Sequence, residues 1–104
     1  MTILNSESSV EDQQAFVQAK EEKHREVKDG INEIMKTRSG RRYILKILRD
    51  CHLFSTTFTG NSRTFFNEGK RSIALSIHKD IQIYCEKEYR LMINEAEMKG
   101  DKIW

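Results

Sequence analysis

No proline occurs anywhere in the 104 residues. No backbone N–H is missing on that account and no φ is pinned, so helices are free to run long. The absence also counts against a loop-rich β fold, whose turns draw on proline. Apolar residues recur at three- and four-residue steps, the spacing that lays them along one helical face. The expected fold is all-α, a small domain of three to four helices led by a long N-terminal helix. A chain of 104 residues is the size of one domain and buries only about two-thirds of its unfolded surface. Residues 1–8 are polar and without periodicity, and read as a flexible lead into a single helical domain over 9–104.

Ser9 is a fitting N-cap for the first helix, with Asp12 supporting its first turn. Val27, Ile31, Ile34 and Met35 form a clear stripe. Phe16 and Val17 extend it toward the N-terminus, where Lys20 and His24 interrupt it. The N-terminal half is therefore expected either to project from the body or to pack on another chain. Gly30 costs about 1 kcal/mol inside a helix, so a break there is allowed for. Thr37 is placed to cap a second helix that runs from near Arg38 to near His52. Its wide apolar arc, Tyr43, Ile44, Leu45, Ile47, Leu48 and Cys51, is expected to be packed on two sides. After a loop over 53–60, Asn61 or Ser62 caps a third helix with the stripe Phe66, Gly69, Ile73, Ile77 and Tyr84. Its small residues Gly69, Ser72 and Ser76 invite close approach by a neighbour, and Phe66 is assigned to the core. A last helical segment carries Tyr89, Met92, Ile93 and Ala96, either continuing the third helix or starting afresh near Cys85, and Gly100 is a natural residue to end it.

The chain carries 33% charged residues but a net charge of only +2. The charge is uneven. Between Lys36 and Arg71 stand nine Lys or Arg, opposed only by Asp50 and Glu68. Such a region attracts nucleic acid or an acidic partner, or is simply a solvated helix face. Arg42, Lys46, Arg49 and Lys70 are the candidate phosphate or partner contacts. Phe54, Phe58, Phe65 and Phe66 would stack on bases if they were free, although spacing of this kind usually marks a core.

Little else suggests chemistry. His24, His52 and His78 fall on three different elements, and Cys51 and Cys85 lie far apart with no CxxC. No metal-ligand spacing, nucleophile motif or phosphate loop is present. Cys51 and His52 are adjacent, but helix neighbours point about 100° apart and do not form a nucleophile–base pair. No enzymatic activity, cofactor or metal is expected. The first nine residues lack the basic and apolar regions of a secretion signal. No apolar run approaches the roughly 20 residues that span a bilayer.

Two stretches carry a resemblance. They are Ser39-Gly-Arg-Arg-Tyr-Ile-Leu-Lys-Ile-Leu-Arg-Asp-Cys-His-Leu-Phe54 and Phe58-Thr-Gly-Asn-Ser-Arg-Thr-Phe-Phe-Asn-Glu-Gly-Lys-Arg71. Gly40, Arg41, Arg42, Phe54, Phe58, Thr59, Gly60, Asn61, Ser62, Phe65, Phe66, Glu68, Gly69 and Arg71 match a pattern of G-R-R, an apolar helix, F-T-G-N-S and E-G-x-R. Over about residues 31–93 the chain thus resembles a small tailed-phage protein family first described from a Bordetella phage and found mostly in short-tailed phages. It departs from the pattern at Cys51-His52-Leu53, where the family has a small–aromatic pair, and at Cys85-Glu86, where it often has aspartate–proline. The latter position implies a helix break near Cys85.

The resemblance implies a bacteriophage protein of helical fold. The leading expectation is a structural or assembly component of the virion, in the internal head, at the head–tail vertex or among the ejected proteins. Its partners would be other virion proteins or further copies of itself, in the virion or in the host cytoplasm during infection. The alternative is a small nucleic-acid-binding or regulatory protein that works through its basic middle region. On the first reading Arg41, Arg42, Glu68 and Arg71 are structural anchors, with Glu68 and Arg71 tying the second helix to the third as an ion pair. Gly60, Asn61 and Ser62 would hold the turn.

Overall fold

The structure, a computed structural model, describes the backbone of residues 6–101 and the side chains of residues 10–101. Four helices follow one another: α1 (Ser6–Met35), α2 (Arg38–Asp50), α3 (Arg63–Tyr84) and α4 (Glu86–Met98). No strand occurs among the described residues. The all-α expectation therefore holds, with its long leading helix. The N-cap assigned to Ser9 does not, because α1 is already helical at Ser6. A helix propagates over a polar turn at little cost, and polar residues leave no stripe to betray it. The expectation of a flexible lead lies outside the described residues as far as residue 5.

α2 lies at the centre, in contact with the other three helices. Its Ile44, Leu45 and Leu48 are buried, together with Met35 of α1, Ala74 and Ile81 of α3, Cys85, and Met92 and Ala96 of α4. Ile31, Ile47, Cys51, Leu53, Phe54, Ile77, Tyr89 and Ile93 are half-buried, and all but Ile47 pack around this cluster. Tyr43 is exposed, so the apolar arc of α2 is narrower than its sequence suggests.

The helix ends explain how the elements are placed. The Thr37 hydroxyl accepts the N–H of Gly40 at 3.1 Å, which is an N-cap on α2 as expected. At the far end Leu53 N–H bonds Leu48 O and His52 N–H bonds Arg49 O. That is a Schellman turn, with His52 at φ 64° where glycine is commoner. α4 closes in the same way. Gly100, at φ 75°, lets Asp101 N–H reach Ala96 O and its own N–H reach Glu97 O. α3 and α4 are separated by Cys85 alone, at φ −151° and ψ 50°. The break expected there is present without proline.

Two features of the body differ from the sequence reading. Helix α3 buries Asn67, Ala74 and Ile81 instead of the stripe through Phe66 and Ile73. Phe66 is 62% exposed and Ile73 60%. Nothing lies within 4 Å of a Cβ placed on Gly69, so no neighbour approaches that face closely. The small side chain there answers no packing need. Gly69→Ala is accordingly expected to raise stability, by about 0.5–1 kcal/mol, because alanine loses less backbone entropy in a helix. A lower midpoint in thermal unfolding would contradict this placement.

The second difference is one of extent. α1 runs through Gly30 without a break. Its residues from Val10 to Gly30 are all exposed, and only its C-terminal end packs on α2 and α3. The Cα radius of gyration is 19.4 Å, against about 13 Å for a compact chain of this size. The longest dimension is 63 Å. The N-terminal half projects, as the interrupted stripe anticipates.

Candidate functional site

The first cluster forms where α1 turns into α2. Gly40 sits in the first turn of α2, against the end of α1. A Cβ there would run into the carbonyl oxygen of Ile34 and come within 2.9 Å of its carbon and of Thr37 Oγ1. Glycine is required here for space. Arg41 follows, with its side chain turned inward. Its Nε and Nη2 donate to the two carboxylate oxygens of Glu95 on α4 at 2.8 and 2.9 Å. Its Nη1 donates to Met35 O at the end of α1 at 3.0 Å. One guanidinium thus joins three helices. It is 7% exposed, and a buried charge is tolerated only when paired and hydrogen-bonded in this way. The hydrogen bonds from Arg41 hold the Glu95 carboxyl below its ordinary range, with Arg38 and Arg42 adding to the effect. Arg42 Nη1 lies 2.9 Å from Asp101 Oδ2 as an ion pair without hydrogen-bond alignment. The turn at Gly100 is what brings Asp101 there.

The second cluster holds the loop between α2 and α3. Arg71 Nη1 donates to the carbonyls of His52 at 2.7 Å and Leu53 at 3.2 Å. Asn67 Nδ2 donates to Thr57 O at 3.2 Å, and Thr57 Oγ1 donates to Glu68. Glu68 and Arg71 therefore do not form the ion pair expected of them. Each fastens the loop on its own account. Gly60 supplies φ 80° at the turn. Asn61 Oδ1 accepts Arg63 N–H at 2.9 Å and so caps the start of α3. The Ser62 side chain makes no capping bond, which settles the choice between the two.

The basic middle region is partly neutralised by three acids that lie outside it in sequence, Glu33, Glu95 and Asp101. Glu95 and Asp101 take Arg41 and Arg42, and Glu33 takes Lys36 at 2.7 Å. Lys46 pairs with Asp50 at 2.9 Å, and Arg49 is half-buried on the same helix. Lys70 lies over the ring of Phe66, 4.9 Å from its centre. Of the phenylalanines, only Phe54 packs on the core. Phe58, Phe65 and Phe66 are exposed, against the expectation that such residues are core.

The histidines stay apart. His24 lies on the projecting part of α1. His52 Nδ1 meets Ser55 Oγ at 3.2 Å, and His78 packs edge-on against Tyr89. Both cysteines are free, and burial pushes the Cys85 thiol up. Among the described residues no group of His, Cys, Asp and Glu could hold a metal ion, and no helix is long and apolar enough to cross a membrane.

Sequence reasoning missed Thr57, Asn67, Glu95 and Asp101. Glu95 had one available signal: it lies three residues after Met92 and one before Ala96, at the edge of the buried stripe of α4. An acid at such a position needs a cationic partner.

Among the described residues these contacts hold four helices and a loop in register, with Gly40, Arg41 and Arg71 at the main joints. The chain belongs to the family of Bbp19-like phage proteins, which it matches over residues 32–94, and is thus a bacteriophage protein. Comparison with curated proteins gives no match, and comparison with solved structures gives none either.

Proposed function

We propose that this protein is a non-enzymatic structural or assembly component of the phage particle, working through helix-mediated protein contacts. The observation that carries the reading is the projecting part of α1. A helix in a protein gains most of its stability from packing an amphipathic face. Here Val10, Phe16 and Val17 remain exposed on it, Phe16 by 70%. A second apolar face, on the outside of α3, carries Phe65, Phe66, Ile73 and Ile83 and suits a further copy of the chain or a neighbouring virion protein. Placement in the internal head, at the head–tail vertex or among the ejected proteins follows from the copy number. Mass spectrometry of purified, nuclease-treated particles is the test. A fixed, multi-copy amount is expected, and detection in infected-cell lysate alone would overturn the reading.

Nucleic-acid binding is the second reading, favoured by one observation: Phe58, Phe65 and Phe66 are exposed, with Lys70 beside the last. Base stacking joined to phosphate contacts weakens steeply with salt. Retardation of single-stranded DNA or RNA at low salt that disappears at moderate salt would support it. Absence of retardation at low salt would remove it.

A further inference from the structure

The face of α1 left bare has a composition of its own. Val10, Val17, His24 and Ile31 recur at seven-residue intervals, and Gln13, Lys20, Val27 and Ile34 fill the complementary positions. This is the a/d spacing of a helix that pairs with another helix. At its lower end the stripe passes into the body, where Ile31 packs on the core and Met35 is fully buried. Above, it is open. Along one edge of it Phe16, Ala19, Lys20 and Lys23 line a shallow groove, with the lysine stems as apolar walls.

The charges are segregated. Lys20 lies on the apolar stripe with Lys23 and Lys28 beside it, Glu21 is the one acid on its flank, next to Val10 and Val17, and Glu11, Glu22, Glu26, Asp29 and Glu33 occupy the opposite side of the helix. A partner that covers the stripe must therefore take up cations at its middle. A second copy is poorly suited. Parallel pairing sets Lys20 against Lys20. Antiparallel pairing sets one set of positions against the other, so Lys20 meets Val17 when the free halves overlap, or His24 when the whole stripes do, and neither gives the ammonium a carboxylate. Like charges at a pairing seam are destabilising, and a buried ammonium needs a carboxylate.

We infer that the projecting half of α1 is a docking site for one helix of a different protein, with an apolar heptad seam and Asp or Glu opposite Lys20 and Lys23. The inference rests on the reading that the protein works through protein contacts. The stripe and its cations choose the partner together: the apolar residues supply area, and the lysines set register and exclude the chain's own copies.

The test uses the full chain and a synthetic probe, a 28-residue helical peptide of roughly four heptads with an apolar seam. One version carries glutamates at its central seam and flanking positions, and a second carries lysines there. Fluorescence anisotropy is expected to show the glutamate peptide binding about tenfold more tightly, a difference of about 1.4 kcal/mol. The double variant Lys20→Glu/Lys23→Glu, altered only at exposed positions, should reverse the preference. Equal affinity for the two peptides, or binding of neither, would overturn the inference. So would a dimer in sedimentation that Val17→Glu dissolves, since a second copy would then occupy the face. The titration is independent of particle analysis. Peptide discrimination in a protein absent from virions would retain the docking site and reject only the virion role.

Discussion

Gly40→Ala is expected to lower the thermal midpoint by about 15 °C, the equivalent of about 3 kcal/mol in a domain of this size. Most glycine-to-alanine changes inside a helix do the opposite. The difference is what the new methyl meets. At Gly40 it meets a backbone carbonyl, that of Ile34, and the capping hydroxyl of Thr37. A flexible side chain could swing aside, but the end of α1 cannot without moving Met35, which is fully buried. Relief of the clash would separate α1 from α2 and disturb the Thr37 cap on the same turn. The pair Gly40→Ala and Gly69→Ala therefore makes a controlled comparison, in which one chemical change has opposite signs at two helical sites. Differential scanning calorimetry on both variants decides it. An unchanged midpoint for Gly40→Ala would mean that the two helices do not approach as described.

The second large effect is expected at Glu95. Glu95→Gln keeps the shape of the side chain but leaves the Arg41 guanidinium buried without its counter-charge, which is expected to destabilise by about 3 kcal/mol. The effect depends on pH, and its sign follows from the direction of the shift. The Arg41 hydrogen bonds depress the Glu95 carboxyl in the folded state. The stability it contributes is thus complete above the ordinary carboxylate value of 4.5 and is lost as pH falls through the lower folded value. Arg41 itself is pushed further up by its hydrogen bonds to Glu95 and stays charged throughout. Urea unfolding should therefore separate wild type from Glu95→Gln widely at pH 7 and much less at pH 3. A gap independent of pH would show that the carboxylate is not the group at work. The double variant Arg41→Met/Glu95→Leu, which removes both charges, should recover most of the loss, because a well-packed apolar pair replaces a buried ion pair at little cost.

How much of this was readable in the sequence varied with the range of the interaction. α2 was legible because its signals are local: the Thr37 cap is three residues from its donor Gly40, and Ile44, Leu45 and Leu48 form an unambiguous stripe. The break at Cys85 came through the family resemblance, since no residue there forbids a helix. α3 was misread by a rotation. Phe66, Gly69 and Ile73 obey helical spacing as well as Asn67, Ala74 and Ile81 do, and bulk favoured the former. What chooses between them is polar. Asn67 and Arg71 must face the loop they hold, and the shape of that loop is set only when α2 has folded beside it. The Arg41–Glu95 pair spans 54 positions. Each residue betrays itself only as a charge beside an apolar stripe. The sequence count of basic residues overstated the free positive charge because their partners, Glu33, Glu95 and Asp101, stand outside the window counted.

The loop after α2 is held in an unusual manner. Arg71 and Asn67 both donate to main-chain oxygens, those of His52, Leu53 and Thr57. Every amino acid presents that oxygen. A fastening of this kind recognises the path of the chain and is indifferent to the identity of its side chains. Drift within residues 51–53 is therefore open at His52, among side chains that tolerate its positive φ, since Cys51 and Leu53 pack on the core, while the residues of α3 that grip the loop are not free to change. Variation among relatives should accumulate on the held side of the contact and spare the holding side.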